Sequence, residues 1–301
     1  MKRIFVILIG LIVTAVFAVY ILELTPNSSA VAPDYEEDAT GETENVQTVL
    51  NKTVQRQREA VPQAMESLVD ATTSSLANAD KPDWKLVWSD EFDAEGLNME
   101  YWSEVTRKNN YNNELQYYTA DNSYIENGHL VLKADKEERD GKKYTSAMVQ
   151  TKDKLTVAHG RIEACVRLPV GKGIFPAFWM LPYSGKTEID ILEMIGSEPN
   201  IIYGVNHYNL DTIPAKTYGQ IVIDSPMKFH VYAVEWDKQC LKWYVDDKCY
   251  HTTTIGIPDE EMYLIFSLAV GGVWPGEPDI NTVFPAVMEV DYVRVYAAAS
   301  P

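Results

Sequence analysis

The sequence predicts an all-β domain, either an antiparallel β-sandwich or a barrel, behind an N-terminal apolar segment and a stalk. From residue 83 onward, short strand-like runs recur about every 10–15 residues, and no long amphipathic helix lies between them. All seven tryptophans also lie beyond residue 83. Hydrophobic residues make up 46% of the 301 positions, which supports a sizeable core and excludes a disordered chain.

The N-terminal segment has the length of a membrane-spanning helix. Residues 4–22 contain no charged side chain and follow Lys2 and Arg3. At about 1.5 Å per residue, this segment spans roughly 28 Å, close to the roughly 30 Å hydrocarbon core of a bilayer. We expect residues 1–24 to form a signal-anchor or transmembrane segment, with the rest of the chain exported. A signal peptide cleaved near Ser28, Ser29 and Ala30 is the alternative, and it would release a secreted protein.

Residues 25–82 are predicted to form an acidic, partly helical linker. Residues 34–45 carry six acidic side chains and no basic one, and Pro62 interrupts a weak helical spacing. The whole chain holds 26 basic and 44 acidic residues, a formal charge of −18. This charge excludes a nucleic-acid-binding protein and argues against a polyanionic substrate.

The strands of the domain at residues 83–301 follow from short apolar or alternating runs. These runs cover residues 129–134, 160–168, 231–236 and 288–296. Residues 241–245 and 248–252 flank Asp246 and Asp247, which predicts a hairpin with a two-residue turn. In that register Cys240 lies opposite Thr253. The three cysteines are expected to stay unpaired and to act as small buried hydrophobic residues.

One segment places acidic side chains between large aliphatic ones, and it is the candidate for chemistry. Glu188, Asp190 and Glu193 belong to a strand-like run in which Glu188 and Asp190 face the same side. Glu193 would face the other side of a regular strand, but a β-bulge near Ile191 and Leu192 returns it to the first side. Two glutamates leaning inward would then reach the roughly 5–5.5 Å carboxyl spacing of a retaining glycosidase.

Two interpretations of this acidic segment are open. A solvated strand face is the common arrangement of acidic residues and implies no chemistry. Alternatively, three carboxylates crowded on one face repel one another, which raises at least one pKa toward the range that a general acid needs. Residues 175–182, just upstream, supply aromatic surface of the kind on which a sugar ring stacks, and they favour the catalytic interpretation.

Motifs along residues 84–296 resemble glycoside hydrolase family 16, particularly its laminarinase-like endo-β-glucanases. The resemblance rests on blocks that follow one another in order at residues 86–92, 113–119, 127–128, 160–163, 168–169, 176–182, 188–193, 243–246, 269–272, 274–276 and 290–296. The block at 188–193 is similar to the family signature E-I-D-I-x-E in its bulged form. Because the blocks occur in sequence at ordinary loop spacings, the resemblance is specific.

The resemblance implies a jelly-roll β-sandwich of two curved antiparallel sheets, with a cleft across the concave one and hydrolysis that retains the anomeric configuration. It implies Glu188 as the nucleophile, Glu193 as the acid/base and Asp190 as the residue that orients the nucleophile. The implied substrate-binding residues are Trp179, Asn113, Glu114, Arg161, His207 and Trp274. The resemblance also implies a structural calcium ion at Glu91, the backbone of Gly128 and Asp291, a set of oxygen ligands that suits calcium.

Several of these cleft residues also have a plainer interpretation. Trp179 and Trp274 could belong to the core, and His207 could be an ordinary strand histidine. Arg161 and Glu163 could form a surface ion pair that contributes little stability.

The expectation from sequence is therefore a membrane-anchored, endo-acting glycoside hydrolase without a catalytic cofactor, monomeric, that cleaves β-1,3 or mixed β-1,3/1,4 glucan by double displacement. A galactan hydrolase or transglycosylase of the same fold and a non-catalytic glucan-binding module are the alternatives. The three carboxylates argue against the binding module. The loop at residues 183–187 lacks a tryptophan that many β-1,3-glucanases of the family carry there, so the resemblance does not determine which glucan is cleaved.

Overall fold

The computed structural model describes residues 83–298. The predicted membrane segment at residues 1–24 and the predicted linker at 25–82 lie outside the described residues, so both stay predictions. Within residues 83–298, no helix has the length and apolar character needed to cross a bilayer.

Eight strands form the larger sheet, called sheet 1. Its order is β15-β14-β13-β8-β17-β5-β4, with β1 paired to β17, and every pairing is antiparallel. The bounds of these strands are β1 Trp84–Asp90, β4 Ser123–Glu126, β5 His129–Ala134, β8 Gly160–Arg167, β13 His230–Trp236, β14 Leu241–Val245, β15 Lys248–Thr253 and β17 Ala286–Ala298.

Seven strands form sheet 2, in the antiparallel order β12-β11-β10-β9-β16-β7-β2. Their bounds are β2 Ser103–Glu104, β7 Met148–Gln150, β9 Ile174–Pro182, β10 Glu188–Glu193, β11 Ile201–Leu210, β12 Ile213–Val222 and β16 Met262–Val270. A short parallel pair joins β3 Gln116–Tyr118 to β6 Tyr144–Ser146. The described residues contain one helical turn, the 3₁₀ segment Ala120–Asn122.

The two sheets enclose one apolar core, which confirms the predicted all-β sandwich. Alternate residues of β8, such as Ile162 and Val166, are buried in the same cluster as Phe178 and Met180 of β9. Since side chains on a strand point alternately to opposite faces, the other residues of each strand lie on an outer face. On sheet 2 this outer face carries the functional candidates.

The hairpin of β14 and β15 confirms the predicted two-residue turn, because Asp246 and Asp247 both have positive φ angles of 48° and 64°. An irregularity between Trp243 and Tyr244 shifts the register, so Leu241 pairs with Thr253 where the sequence predicted Cys240. All three cysteines are free, as expected. The prediction that they are buried is wrong, because Cys165 and Cys240 are half-buried and Cys249, on the outermost strand of sheet 1, is exposed.

Candidate active site

A β-bulge in β10 brings the three predicted carboxylates to one face of sheet 2. On one side Asp190 pairs with Val205 and Glu193 pairs with Tyr203, so three steps along β10 match two steps along β11. The pairing with β9 shifts at the same place, between Asp190 and Leu192. The extra residue turns Glu193 to the face of Glu188 and Asp190, which confirms the predicted bulge.

Each of the three acidic residues of β10 begins a row of directly opposed residues that continues across β11 and β12. Glu188 lies opposite His207, which lies opposite Lys216. Asp190 is followed by Val205 and Tyr218, and Glu193 by Tyr203 and Gln220. Directly opposed residues of an antiparallel pair share a face, so all nine residues belong to the outer face of sheet 2. We call this surface the cleft face.

His207 points at the carboxylates, as predicted for a cleft residue. Its Nε2 lies 3.4 Å from Asp190 Oδ2 and 3.8 Å from Glu188 Oε1. One ligand atom from each of Glu188, Asp190 and His207 lies within 4.8 Å of the others. The geometry could hold a cation, but the same atoms suit a proton shared among them, which is the chemistry of a carboxylate pair in glycoside hydrolysis.

All three carboxyl groups have a raised pKa. Burial raises the pKa of Glu188, and the nearby His207 partly opposes that rise. Burial, reinforced by the charge of Glu188, holds the pKa of Asp190 well above its usual value. Burial also holds the pKa of Glu193 well above its usual value, with further contributions from the charges of Asp190 and Glu188. A glutamate that keeps its proton toward neutral pH has the property that a general acid requires.

The bulge is fixed from behind by sheet 1. The indole Nε1 of Trp243, a fully buried residue of β14, donates a hydrogen bond of 2.8 Å to the backbone carbonyl of Asp190. Gly204 of β11 permits this approach, because a Cβ there would lie 2.4 Å from Trp243 Cδ1. At the front, Asp190 Oδ2 is buried, and its 3.4 Å contact with His207 Nε2 does not have the geometry of a hydrogen bond. A buried carboxylate oxygen without a hydrogen bond is satisfied when it carries a proton or accepts a hydrogen bond from a ligand hydroxyl.

Two tryptophans flank the carboxylates. Trp179 of β9 lies opposite Asp190 in the sheet, and its Nε1 donates to Ser267 Oγ at 3.1 Å. Trp274 comes from the loop between β16 and β17 and is 44% exposed. Its ring meets Tyr203 edge-on at 5.0 Å and Phe175 at 5.5 Å, beside Glu193. Neither tryptophan is fully buried in the core, so both offer aromatic surface to the cleft.

Asn113 and Glu114 lie in a loop that is attached to the Trp274 side of the cleft. The next residue, Leu115, donates its backbone N–H to the carbonyl of Val270, and Val273 donates to the carbonyl of Asn112. Glu114 accepts a hydrogen bond from Gln116, and burial raises its pKa. The structure thus places this loop next to the cleft and leaves substrate contact by either residue as a prediction.

Arg161 is a correction, because it does not lie in the cleft. It belongs to β8 of sheet 1, and its neighbour Ile162 points into the core, so Arg161 faces away from both the core and sheet 2. Its guanidinium pairs with Glu163 at 2.8 Å and with Glu235 and Asp247 at 3.3 Å. The ion-pair interpretation from sequence is the right one, although Arg161 is 8% exposed and therefore more buried than a surface pair.

The predicted calcium ligands are engaged elsewhere. Both carboxylate oxygens of Glu91 accept hydrogen bonds from Arg294, at 3.0 and 2.8 Å, and Asp291 Oδ1 lies 3.4 Å from His129 Nε2. Gly128 has the positive φ of a turn, 77°. In this arrangement Arg294 occupies both carboxylate oxygens of Glu91, the atoms that would coordinate a calcium ion. Calcium binding therefore stays a prediction from the resemblance.

Five cleft-face residues were not predicted from the sequence: Tyr203, Val205, Lys216, Tyr218 and Gln220. Their position depends on which strand lies beside β10 and in which register, and neither is encoded locally. The signal in the sequence was weak: Lys216, Tyr218 and Gln220 alternate with Ala215, Thr217 and Gly219, which indicates a strand but does not place it near β10.

Two family profiles match the chain. The profile of glycosyl hydrolases family 16 covers residues 107–294, and the profile of β-glucan synthesis-associated proteins SKN1/KRE6/Sbg1 covers residues 1–188. The first profile spans all three carboxylates.

Individual relatives agree with the first profile. A β-glucanase of Rhodothermus marinus is 37% identical, over 71% of this chain and 86% of the relative. A glucan endo-1,3-β-glucosidase of Cryptopygus antarcticus is 35% identical, over 70% of this chain and 91% of the relative. The crystal structure of an endo-β-1,3-glucanase from Pyrococcus furiosus is 38% identical with a TM-score of 0.67, over 74% of this chain and 97% of that structure.

Proposed function

Because the chain belongs to glycosyl hydrolase family 16, we propose that it cleaves internal β-1,3 or mixed β-1,3/1,4 bonds of a glucan with retention of configuration. The site observation that supports this function most is the bulge in β10. The bulge places Glu188 and Glu193 on one face of the strand, one on each side of the buried Asp190. A double displacement requires two such carboxyl groups.

In the first step the Glu188 carboxylate attacks the anomeric carbon of the sugar. The bond from that carbon to the glycosidic oxygen breaks, and Glu193 donates its proton to the departing oxygen. The products are a glycosyl ester on Glu188 and a shortened glucan with a free hydroxyl group. The raised pKa of Glu193 keeps it protonated for this donation.

In the second step Glu193, now a carboxylate, accepts a proton from a water molecule. The water oxygen attacks the same anomeric carbon, and Glu188 leaves as a carboxylate. Two displacements at one carbon restore its original configuration. Asp190 stays beside Glu188 throughout and, when protonated, can donate to it. His207 stands at the outer side of the pair.

The function is tested by a reducing-sugar assay on laminarin, lichenan, agarose and xyloglucan. We expect hydrolysis of laminarin or lichenan, with a rapid fall in chain length that marks endo-cleavage. Glu188→Gln and Glu193→Gln should each lower turnover by at least about a hundredfold while the fold survives, since the replacements are nearly isosteric. Exclusive hydrolysis of agarose, or near wild-type turnover of either variant, would contradict the proposal.

Transglycosylation is a second candidate, favoured by the match of residues 1–188 to proteins associated with β-glucan synthesis. The glycosyl ester on Glu188 would then be attacked by a sugar hydroxyl in place of water, with Glu193 again accepting the proton. Products longer than the starting oligosaccharide would identify this reaction. Hydrolysis products alone, even at high oligosaccharide concentration, would exclude it as the main activity.

The proposal extends to the arrangement of the whole chain. Residues 1–24 would anchor it in a membrane, residues 25–82 would act as a linker, and residues 83–301 would form a monomeric catalytic domain outside the cytoplasm. The uncharged run at residues 4–22 and the acidic run at residues 34–45 support this arrangement.

A further inference from the structure

The direction of a bound glucan follows from the carboxylates. Glu188 and Glu193 lie at the two ends of β10, and a double displacement needs one carboxyl group on each side of the scissile bond. A line between these two groups runs along the strand. A chain whose glycosidic bond passes between them must therefore run across the strands of sheet 2.

The two directions away from β10 differ in their accessibility. Toward β9, β16 and β7, the side chains of Met148, Tyr263 and Ile265 on this face of the sheet pack with Tyr118 of β3 in a small buried apolar cluster. Toward β11 and β12, no such cluster covers the sheet within residues 83–298. The exposed residues of β12 form the outer margin on this side.

On β12, the three rows that begin at the carboxylates end in Lys216, Tyr218 and Gln220. We call them the β12 strip. All three are exposed, and Tyr218 is 58% exposed. Lys216 Nζ lies 5.6 Å from the centre of the Tyr218 ring. The strip thus joins an aromatic face to an ammonium group and an amide, both of which hydrogen-bond sugar hydroxyls.

The β12 strip lies within reach of a chain held at the carboxylates. Trp179, Asp190, Val205 and Tyr218 form one row over four neighbouring strands. With about 4.8 Å between strands, Tyr218 is roughly 14 Å from Trp179 and about two strand spacings from Asp190. A glucan that crosses the strands and extends beyond the reacting residues passes over this strip.

We propose that the β12 strip is an outer glucan-binding site in which Tyr218 stacks on a glucosyl residue remote from the bond that is cleaved. Lys216 and Gln220 hydrogen-bond the same or the next residue. The inference rests on the proposed function for the direction of the chain. It adds that the protein prefers long β-glucans over short ones, because short oligosaccharides do not reach β12.

The test compares Tyr218→Ala with Tyr218→Trp and with Tyr124→Ala, a control at a half-buried tyrosine of β4 at the edge of sheet 1. The first measurement is kcat/KM on β-1,3-gluco-oligosaccharides from the disaccharide to the heptasaccharide. Tyr218→Ala should lower kcat/KM by about three- to tenfold on the longest oligosaccharides, the size of one aromatic contact, and leave the shortest unchanged. Tyr218→Trp should retain the preference for length, and Tyr124→Ala should match the wild type.

The second measurement separates this inference from the proposed function. Retardation in gels that contain laminarin is compared for Glu188→Gln with and without Tyr218→Ala. Loss of retardation with Tyr218→Ala supports the strip even if the wild type cleaves no tested glucan. Equal retardation of the two proteins, absence of any retardation, or an equal loss of kcat/KM on short and long oligosaccharides would overturn it.

Discussion

At the scale of single residues, Asp190 decides how the three carboxyl groups share protons. It is almost completely buried, and the burial raises its pKa together with the charge of Glu188. The charges of Asp190 and Glu188 in turn raise the pKa of Glu193. The three groups therefore titrate as a set, and each apparent pKa of the rate profile belongs to the set.

Asp190→Asn tests this coupling. The rate requires Glu188 to be ionised and Glu193 to be protonated, so kcat/KM should follow a bell, with the basic limb reporting mainly the loss of the proton from Glu193. At pH values where Asp190 is ionised, the substitution removes a negative charge and lowers the pKa of Glu193, so the basic limb should move to lower pH. The measurement is kcat/KM on the best substrate from pH 4 to pH 9.

Asp259→Asn, an exposed substitution outside the cleft face, is the control and should leave both limbs in place. A basic limb that stays or moves to higher pH in Asp190→Asn would show that Asp190 does not raise the pKa of Glu193. A profile without limbs would show that no shared proton governs the reaction.

At the scale of elements, the bulged strand β10 depends on a hydrogen bond from the opposite sheet. Trp243 Nε1 donates to the carbonyl of Asp190 at the start of the bulge. Trp243→Phe should leave that buried carbonyl unpaired, at a cost of about 1–3 kcal/mol in the free energy of unfolding. Because the bulge sets the direction of Glu193, we also expect kcat to fall. Denaturant unfolding measures the loss of stability, and an activity assay of the same variant measures kcat.

Trp236→Phe provides a matched control for that prediction. Trp236 is equally buried, and its Nε1 donates to the carbonyl of Pro258, away from β10. The Trp236→Phe variant should lose a similar free energy of unfolding, and its kcat should be unchanged. If the two variants lose kcat equally, the effect of Trp243→Phe comes from general destabilisation and the positioning role is wrong.

Elements also show what the sequence could and could not predict. The bulge was predictable because three acids among large aliphatic residues leave one side of β10 for the core, and Glu193 fits only with one extra residue. Arg161 was misplaced because alternation shows only that it faces away from Ile162. It does not show which sheet receives the strand. Tyr218 was missed for a related reason: its row depends on the pairing of distant strands.

At the scale of the whole molecule, the location of the protein depends on residues 4–22. Each Leu, Ile, Val or Phe contributes about 0.3–0.6 kcal/mol to membrane insertion, so this uncharged run should favour insertion by several kcal/mol. We expect the full chain to sediment with membranes and to resist extraction by high salt or alkaline carbonate. Protease added on the extracytoplasmic side of the membrane should digest residues 83–301.

N-terminal sequencing of the mature protein completes that test. An N-terminus at Met1 or Lys2 in the membrane fraction agrees with the anchor. An N-terminus near Val31 in the soluble fraction would show a cleaved signal peptide and a secreted enzyme. The proposed chemistry would be unaffected by either result.

The central claim, that Glu188 carries the glycosyl group during the reaction, can be tested by trapping the intermediate. A 2-deoxy-2-fluoro glycosyl fluoride of a β-1,3-linked glucose disaccharide forms the glycosyl ester quickly and releases it slowly, because the fluorine destabilises both oxocarbenium-like transition states while the fluoride is a good leaving group. Mass spectrometry of the digested protein should find one added 2-deoxy-2-fluoro disaccharide, ester-linked to Glu188. A label on Asp190 or Glu193, or an unlabelled protein whose natural product has inverted configuration, would contradict the mechanism.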